Sequence, residues 1–123
     1  MASRSYGDVL VWQKGIALCI EVYKICESFP KSELYGLASQ MKRAAVSVPS
    51  NIAEGQARQH VGEFLPFLSI ASGSLAEMDT QRTIAERLIF ISADCSAILE
   101  HDITELRKML YSLDLKLKQV CRS

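Results

Sequence analysis

The sequence has no net charge, no closely spaced cysteine pair and no long apolar run, and each absence removes a class of function. Fourteen Lys and Arg oppose fourteen Asp and Glu, so the chain lacks the overall basic excess that draws a protein onto nucleic acid. The four cysteines, Cys19, Cys26, Cys95 and Cys121, form no CxxC motif and sit in apolar surroundings. On a helix, Cys19 and Cys26 would be about 10 Å apart, beyond disulfide reach. They read as small buried hydrophobes in a reducing compartment. No stretch of about 18 apolar residues could span a bilayer, and the start, MASRSYGDVLVWQKG, lacks a leader-like apolar segment. A soluble, cytosolic protein is expected. The only histidines, His60 and His101, belong to neither an HExxH motif nor a Glu-x-x-His repeat, and no cofactor, metal site or catalytic set is expected. Both read as structural or surface residues. Gly55 and Gly73 belong to no phosphate-binding loop, and Gly73 reads as a close-packing position between helices. Alternating strand patterns bounded by turn residues are missing as well.

What remains is helical periodicity. Val9, Trp12, Ile16, Cys19, Tyr23 and Cys26 recur at spacings of three and four and predict a helix over 8–28, closed by Phe29 and Pro30. Ser32 is the expected N-cap of a second helix over 33–58, which turns Leu34, Leu37, Met41, Ala44, Ala45, Val48 and Ile52 inward. A third helix, 63–89, carries Phe64, Phe67, Leu68, Ala71, Leu75, Met78, Ala85 and Leu88. A fourth, 93–120, carries Leu99, Ile103, Leu106, Leu110, Leu113, Leu117 and Val120 at a strict alternation of four and three. Short connections make neighbours antiparallel. The expected fold is therefore all-α, one domain over 1–123, an up-down-up-down four-helix bundle. Pro66 sits near a helix start, where it does little harm. Pro49 falls inside the second helix and is expected to kink it, at a cost of about 3 kcal/mol if nothing accommodates the bend.

A polar line runs beside the apolar stripe of the second helix: Gln40, Arg43, Ser47, Asn51, Glu54 and Arg58. Ser74, Glu77 and Gln81 repeat the device on the third. An antiparallel hairpin turning near residue 60 would set Arg43 by Glu77, Ser47 by Ser74, and Gln40 by Thr80 or Gln81. The expected result is a partly buried seam that fixes helix register, with an Arg43–Glu77 ion pair at its centre. As single residues these are also ordinary boundary positions of amphipathic helices. Lys42, Arg43 and Arg58 could instead form a modest basic patch. Lys116, Lys118 and Arg122 suit the dipole at the end of the last helix. Leu65, Phe90, Ile91 and Leu115 are candidates for contacts between subunits.

Three stretches, DVLVWQKG, LYGLASQMKRAAVSVPSNIAEGQAR and EFLPFLSIASGSLAEMDTQ, resemble the four-helix-bundle proteins encoded by intervening sequences of bacterial 23S rRNA genes. The resemblance spans essentially the whole chain. Its motif falls on Trp12, Tyr35, Gly36, Leu37, Gln40, Arg43, Ala44, Ser47, Pro49, Asn51, Ile52, Glu54, Gly55 and Arg58, then on Glu63, Phe64, Phe67, Ser74, Glu77 and Gln81. The resemblance implies a ring-shaped homopentamer without established catalytic activity. It also implies distant kinship with accessory proteins of diversity-generating retroelements, which are basic and bind nucleic acid and a reverse transcriptase. Zero net charge sets this chain apart from them and weakens the nucleic-acid reading. The leading expectation is a noncatalytic oligomeric scaffold. The alternatives are a nucleic-acid accessory module using Lys42 and Arg58, and an enzyme using Arg43, Glu54 and Glu77 between subunits.

Overall fold

The computed structural model describes residues 6–122, so residues 1–5 and 123 of the expected domain lie outside the described residues. Four helices account for nearly all of it: α1 (Tyr6–Cys26), α2 (Leu37–Gln56), α3 (Val61–Arg87) and α4 (Ala93–Arg122). Each packs on its neighbour in sequence, and α4 closes back onto α1. This is the antiparallel up-down-up-down bundle that the short connections imply.

The α4 seam is the clearest case of pattern becoming packing. Leu99, Ile103, Leu106, Leu110 and Leu113 are all buried, while Leu117 is partly covered and Val120 is exposed near the end of the helix. On α1 the inward face is rotated one residue from the expected stripe. Val11, Leu18, Val22 and Cys26 are buried, Trp12 and Cys19 flank them, and Tyr23 is exposed. The two stripes lie about 100° apart on the same helix, and the bulkier Trp12 and Tyr23 take the boundary, where an aromatic ring can be half covered.

The α1–α2 connection differs from the expected Ser32 cap. A short 3₁₀ turn, η1 (Lys31–Glu33), follows Pro30, and α2 starts only at Leu37, leaving Leu34 and Tyr35 exposed. Glu33 does the capping: its Oε1 accepts the Leu37 N–H at 3.1 Å, satisfying one of the free amides of the first turn. Ser92 caps α4 in the ordinary way, its Oγ accepting the Cys95 N–H at 3.1 Å.

Helix α2 runs unbroken through Pro49. The proline is buried against Gly15 of α1, where a Cβ would stand 3.4 Å from Pro49 Cα. Asn51 bridges the same turn, donating to the Ser47 carbonyl at 2.8 Å. At the other end of α2, Gly55 allows the α2–α3 hairpin to close. A Cβ there would overlap the Phe64 ring and come within 3.1 Å of Phe67 Cβ. Gln56, buried beside it, donates to the Asp8 carbonyl at 2.6 Å and ties α2 to the start of α1.

The α3–α4 turn holds the one non-glycine residue with positive φ among those described, Ile89 at 62°. The Ile89 N–H donates to Glu86 O at 3.0 Å and the Phe90 N–H to Ala85 O at 2.8 Å, the paired closure that usually employs glycine. A β-branched side chain in this conformation costs about 1–2 kcal/mol. Phe90 then folds down onto Phe29, ring centroids 5.5 Å apart.

Candidate functional site

The α2–α3 seam contains a hydrogen-bonded trio built from the expected line. Ser74 Oγ donates across the helices to Ser47 Oγ at 2.8 Å, and Asn51 Nδ2 donates to the same Ser47 Oγ at 3.0 Å. All three residues are half-buried. Among the described residues neither hydroxyl is hydrogen-bonded to a histidine or a carboxylate, and the contact between the two helices sets their register.

The charged members of the line do not join it. Arg43 and Glu77 are exposed and form no ion pair with each other, and Gln40 is exposed as well. Relative to Ser47 and Ser74, both turn away from the interface toward water. There each charge keeps its hydration instead of losing it to a buried pair. Glu54 and Arg58 pair with one another along the outside of α2, Oε2 to Nη2 at 3.0 Å. Gln81 is buried, and its Oε1 has no donor among the described residues. Thr80 bonds back to the Ala76 carbonyl instead of reaching Gln40.

The proposed basic patch is divided. Lys42 lies over the Tyr23 ring of α1, 5.2 Å from its centroid, and Arg58 over the Phe67 ring of α3 at 4.6 Å. Sixteen residues separate them, about 24 Å along the helix and nearly half a turn around it. They face different neighbours and cannot grip one phosphate track together. Of the C-terminal cluster, Lys118 pairs with Asp114 at 2.8 Å and Lys116 is exposed, while the Arg122 side chain lies outside the described residues.

The principal buried charge is one that the line did not contain. Arg82 of α3 is 8% exposed. Its Nε donates to Asp79 Oδ1 at 3.0 Å and its Nη1 to Ser96 Oγ of α4 at 2.7 Å. Its Nη2 lies 3.3 Å from Glu100 Oε2, and Glu86 stands at 3.6 Å. One guanidinium thus joins carboxylates of α3 and α4 and satisfies the fully buried Ser96 hydroxyl. A signal was present: in the run Leu75, Met78, Ala85 the missing inward position is residue 82. With three carboxylates around a cation already coordinated on every side, the cluster is an anchor between helices, closed to an incoming ligand.

On the opposite side of α4, carboxyls from two helices meet. Burial first, then a hydrogen bond and the negative charge of Asp102, push Glu21 of α1 up to about 7. Nearby, Lys14 and Glu105 pair at 2.8 Å; the contact raises the lysine and lowers the carboxylate.

All four cysteines are free, but they are not uniformly buried: Cys26 is, Cys19 and Cys95 are half-covered and Cys121 is exposed. Burial raises the thiols of Cys19, Cys26 and Cys95, which keeps them protonated and poor nucleophiles. Both histidines are exposed. Of the expected subunit-contact residues, Ile91 is buried and Phe90 packs on the core, whereas Leu115 is exposed and Leu65 half so. No group of three metal-ligating side chains occurs among the described residues, and no described helix is long and apolar enough to cross a membrane.

Residues 7–112 match the family described as 23S rRNA-intervening sequence protein. A crystal structure from Bacteroides thetaiotaomicron, described as a protein of unknown function from the S23 ribosomal protein family, superimposes with a TM-score of 0.81 at 21% identity. The match covers 88% of this chain and 97% of that one. No curated protein matches.

Proposed function

The chain belongs to the 23S rRNA-intervening sequence protein family, and from that premise we propose that it is a noncatalytic scaffold whose bundles assemble into a ring-shaped homopentamer. The observation that carries the reading is the set of large apolar side chains left on the outer faces. Ile20 and Ile98 stand out on α1 and α4, Ile70 and Ile84 on α3, and Tyr111 and Leu115 farther along α4. In a small bundle with a filled core, such side chains suit helix faces that meet other copies. The polar groups support the same reading, because Ser47, Ser74 and Arg82 are engaged in holding helices together. A ring needs two different contact faces on each bundle, and exposed apolar residues on α1, α3 and α4 are available to form them. Charge placed on those faces is the test. Ile70→Glu and Ile98→Glu are expected to reduce the mass of the native assembly while leaving helix content intact. An unchanged mass in both variants would refute the assignment of these faces.

One observation favours the nucleic-acid alternative in a changed form. Residues 106–122 of α4 contain five Lys and Arg against one Asp. Arg107, Lys108 and Lys116 are exposed and form no ion pair among the described residues. The basic surface on this reading is the last half of α4 rather than Lys42 and Arg58. Binding to structured RNA that weakens with salt, and that is lost in a charge-reversed Arg107/Lys108/Lys116 variant, is the expected result. Absence of binding at low salt would exclude it. A reverse-transcriptase partner belongs to the same reading and would be met through that complex.

A further inference from the structure

Helices α1 and α4 meet less closely than the other neighbouring pairs, and two largely apolar grooves open along their seam. The upper groove, nearer the α3–α4 turn, measures about 510 Å³ and is lined by Ile20, Ile25, Cys95 and Ile98. The lower, about 270 Å³, is lined by Val11, Met109 and Leu113, with Lys116 beside them. Between the two, Lys14 is bonded to Glu105 at 2.8 Å and is still half-exposed, so its ammonium has donors left over. A matching series runs along α3. Glu63, Ile70, Glu77 and Ile84 recur every seven residues and are all exposed, and neither glutamate forms an ion pair among the described residues. The series stands on the α2 side of its helix, since Ile70 and Glu77 flank Ser74, which bonds Ser47. Arg82, which bonds Ser96 of α4, lies on the other side. Among the described residues α1 packs on α2 and α4 but not on α3, so the stripe and the seam are separate faces.

The heights of the two faces agree. Within one chain the Arg82–Ser96 bond sets residue 82 of α3 level with residue 96 of α4. The helices run antiparallel at about 1.5 Å per residue, so Ile84 falls level with Cys95 of the upper groove, Ile70 with Met109 of the lower, and Glu63 with Lys116, each to within about one residue. Glu77 lies about one helical turn from the height of the Lys14–Glu105 pair. Acid, apolar, acid, apolar along α3 thus matches base, groove, base, groove along the seam. Resting on the ring reading above, we propose that neighbouring copies meet head to tail, α3 of one seated along the α1–α4 seam of the next. Ile84 enters the upper groove and Ile70 the lower, while Glu63 meets Lys116 and Glu77 meets Lys14. With the bundles upright, rotation about the ring axis keeps every copy at one height, so levels found within a chain are the levels across the contact. The occupant is a second copy because the seam offers a base at each height where the chain's own stripe offers an acid. A slip of one heptad would set an isoleucine against a lysine and a glutamate over a groove, which fixes the register.

The test uses two variants, each with one face blocked. Ile70→Glu/Ile84→Glu keeps the seam and loses the stripe, and Ile20→Glu/Ile98→Glu keeps the stripe and loses the seam. All four side chains are exposed, so helix content should hold in both. Native mass measurement should give single chains for each variant alone and a two-chain species for an equal mixture. There the intact stripe of one variant fits the intact seam of the other, and the blocked faces stop further growth. A double variant that keeps the wild-type mass would overturn the assignment of faces and leave the ring standing. So would a mixture without the two-chain species while the wild type is larger than one chain. A wild type with the mass of one chain would overturn the ring and the contact together. For the register, Glu63→Lys and Lys116→Glu should each weaken assembly about tenfold, and the two together should restore most of it. Additive losses would overturn that pairing.

Discussion

Arg82 is the one buried charged side chain among the described residues. It sits where an apolar residue would complete the α3 stripe, yet every face of its guanidinium is engaged, by Asp79, Glu86, Ser96 and Glu100. Removing it would leave the Ser96 hydroxyl buried without its donor and three carboxylates without a cation. Arg82→Ala should lower stability by about 2–3 kcal/mol in chemical denaturation. Arg82→Lys should recover only part of that, since an ammonium cannot span Asp79, Ser96 and Glu100 together. A lysine variant as stable as the wild type would show that only the charge matters. Arg43 makes the opposite point. Its spacing from Ser47 puts it on the same line, but one turn along that line the helix surface has already rotated into water. Position in a stripe specifies a face to within tens of degrees, and the difference between interface and solvent is no larger than that.

At the scale of the helix pair, α2 and α3 are joined by small residues and hydroxyls. Ser47→Ala and Ser74→Ala should each cost about 1 kcal/mol, and the double variant should lose less than their sum by about 0.5 kcal/mol or more. Additive losses in that cycle would mean that the 2.8 Å contact does not couple the helices. The two glycines that drew attention in sequence part company here. Gly55→Ala drives a methyl group into Phe64 and should cost about 1–3 kcal/mol. Gly73 has no atom within 4 Å of where its Cβ would be, so it is not the close-packing position that sequence suggested. In the isolated bundle Gly73→Ala should gain about 0.5–1 kcal/mol, measured in the same denaturation series. The four helices were legible because 3.6-residue periodicity and short breaks are local signals, and α4, with its unbroken seam, was read almost residue by residue. The Ser47–Ser74 contact was legible too, since an antiparallel hairpin fixes which positions meet. The capping of α2 by Glu33 was not, because it depends on a 3₁₀ turn that moves the helix start four residues along. Neither was the α1–α4 carboxyl pair, which comes from opposite ends of the chain and follows from no local pattern.

For the molecule as a whole, the interior is complete and the exterior is not purely polar. Charge is arranged along α4, with four carboxylates in residues 93–105 and five basic residues in 106–122. Large apolar side chains interrupt the surface on α1, α3 and α4. That combination fits bundles that meet one another through apolar contacts rimmed by charge, and it gives Ile70 and Ile98 a role that a solitary bundle would not require of them. Sedimentation velocity at micromolar concentration tests the central claim most directly. A single species with five times the mass of one chain is the expected result, and a species with the mass of a single chain would contradict it.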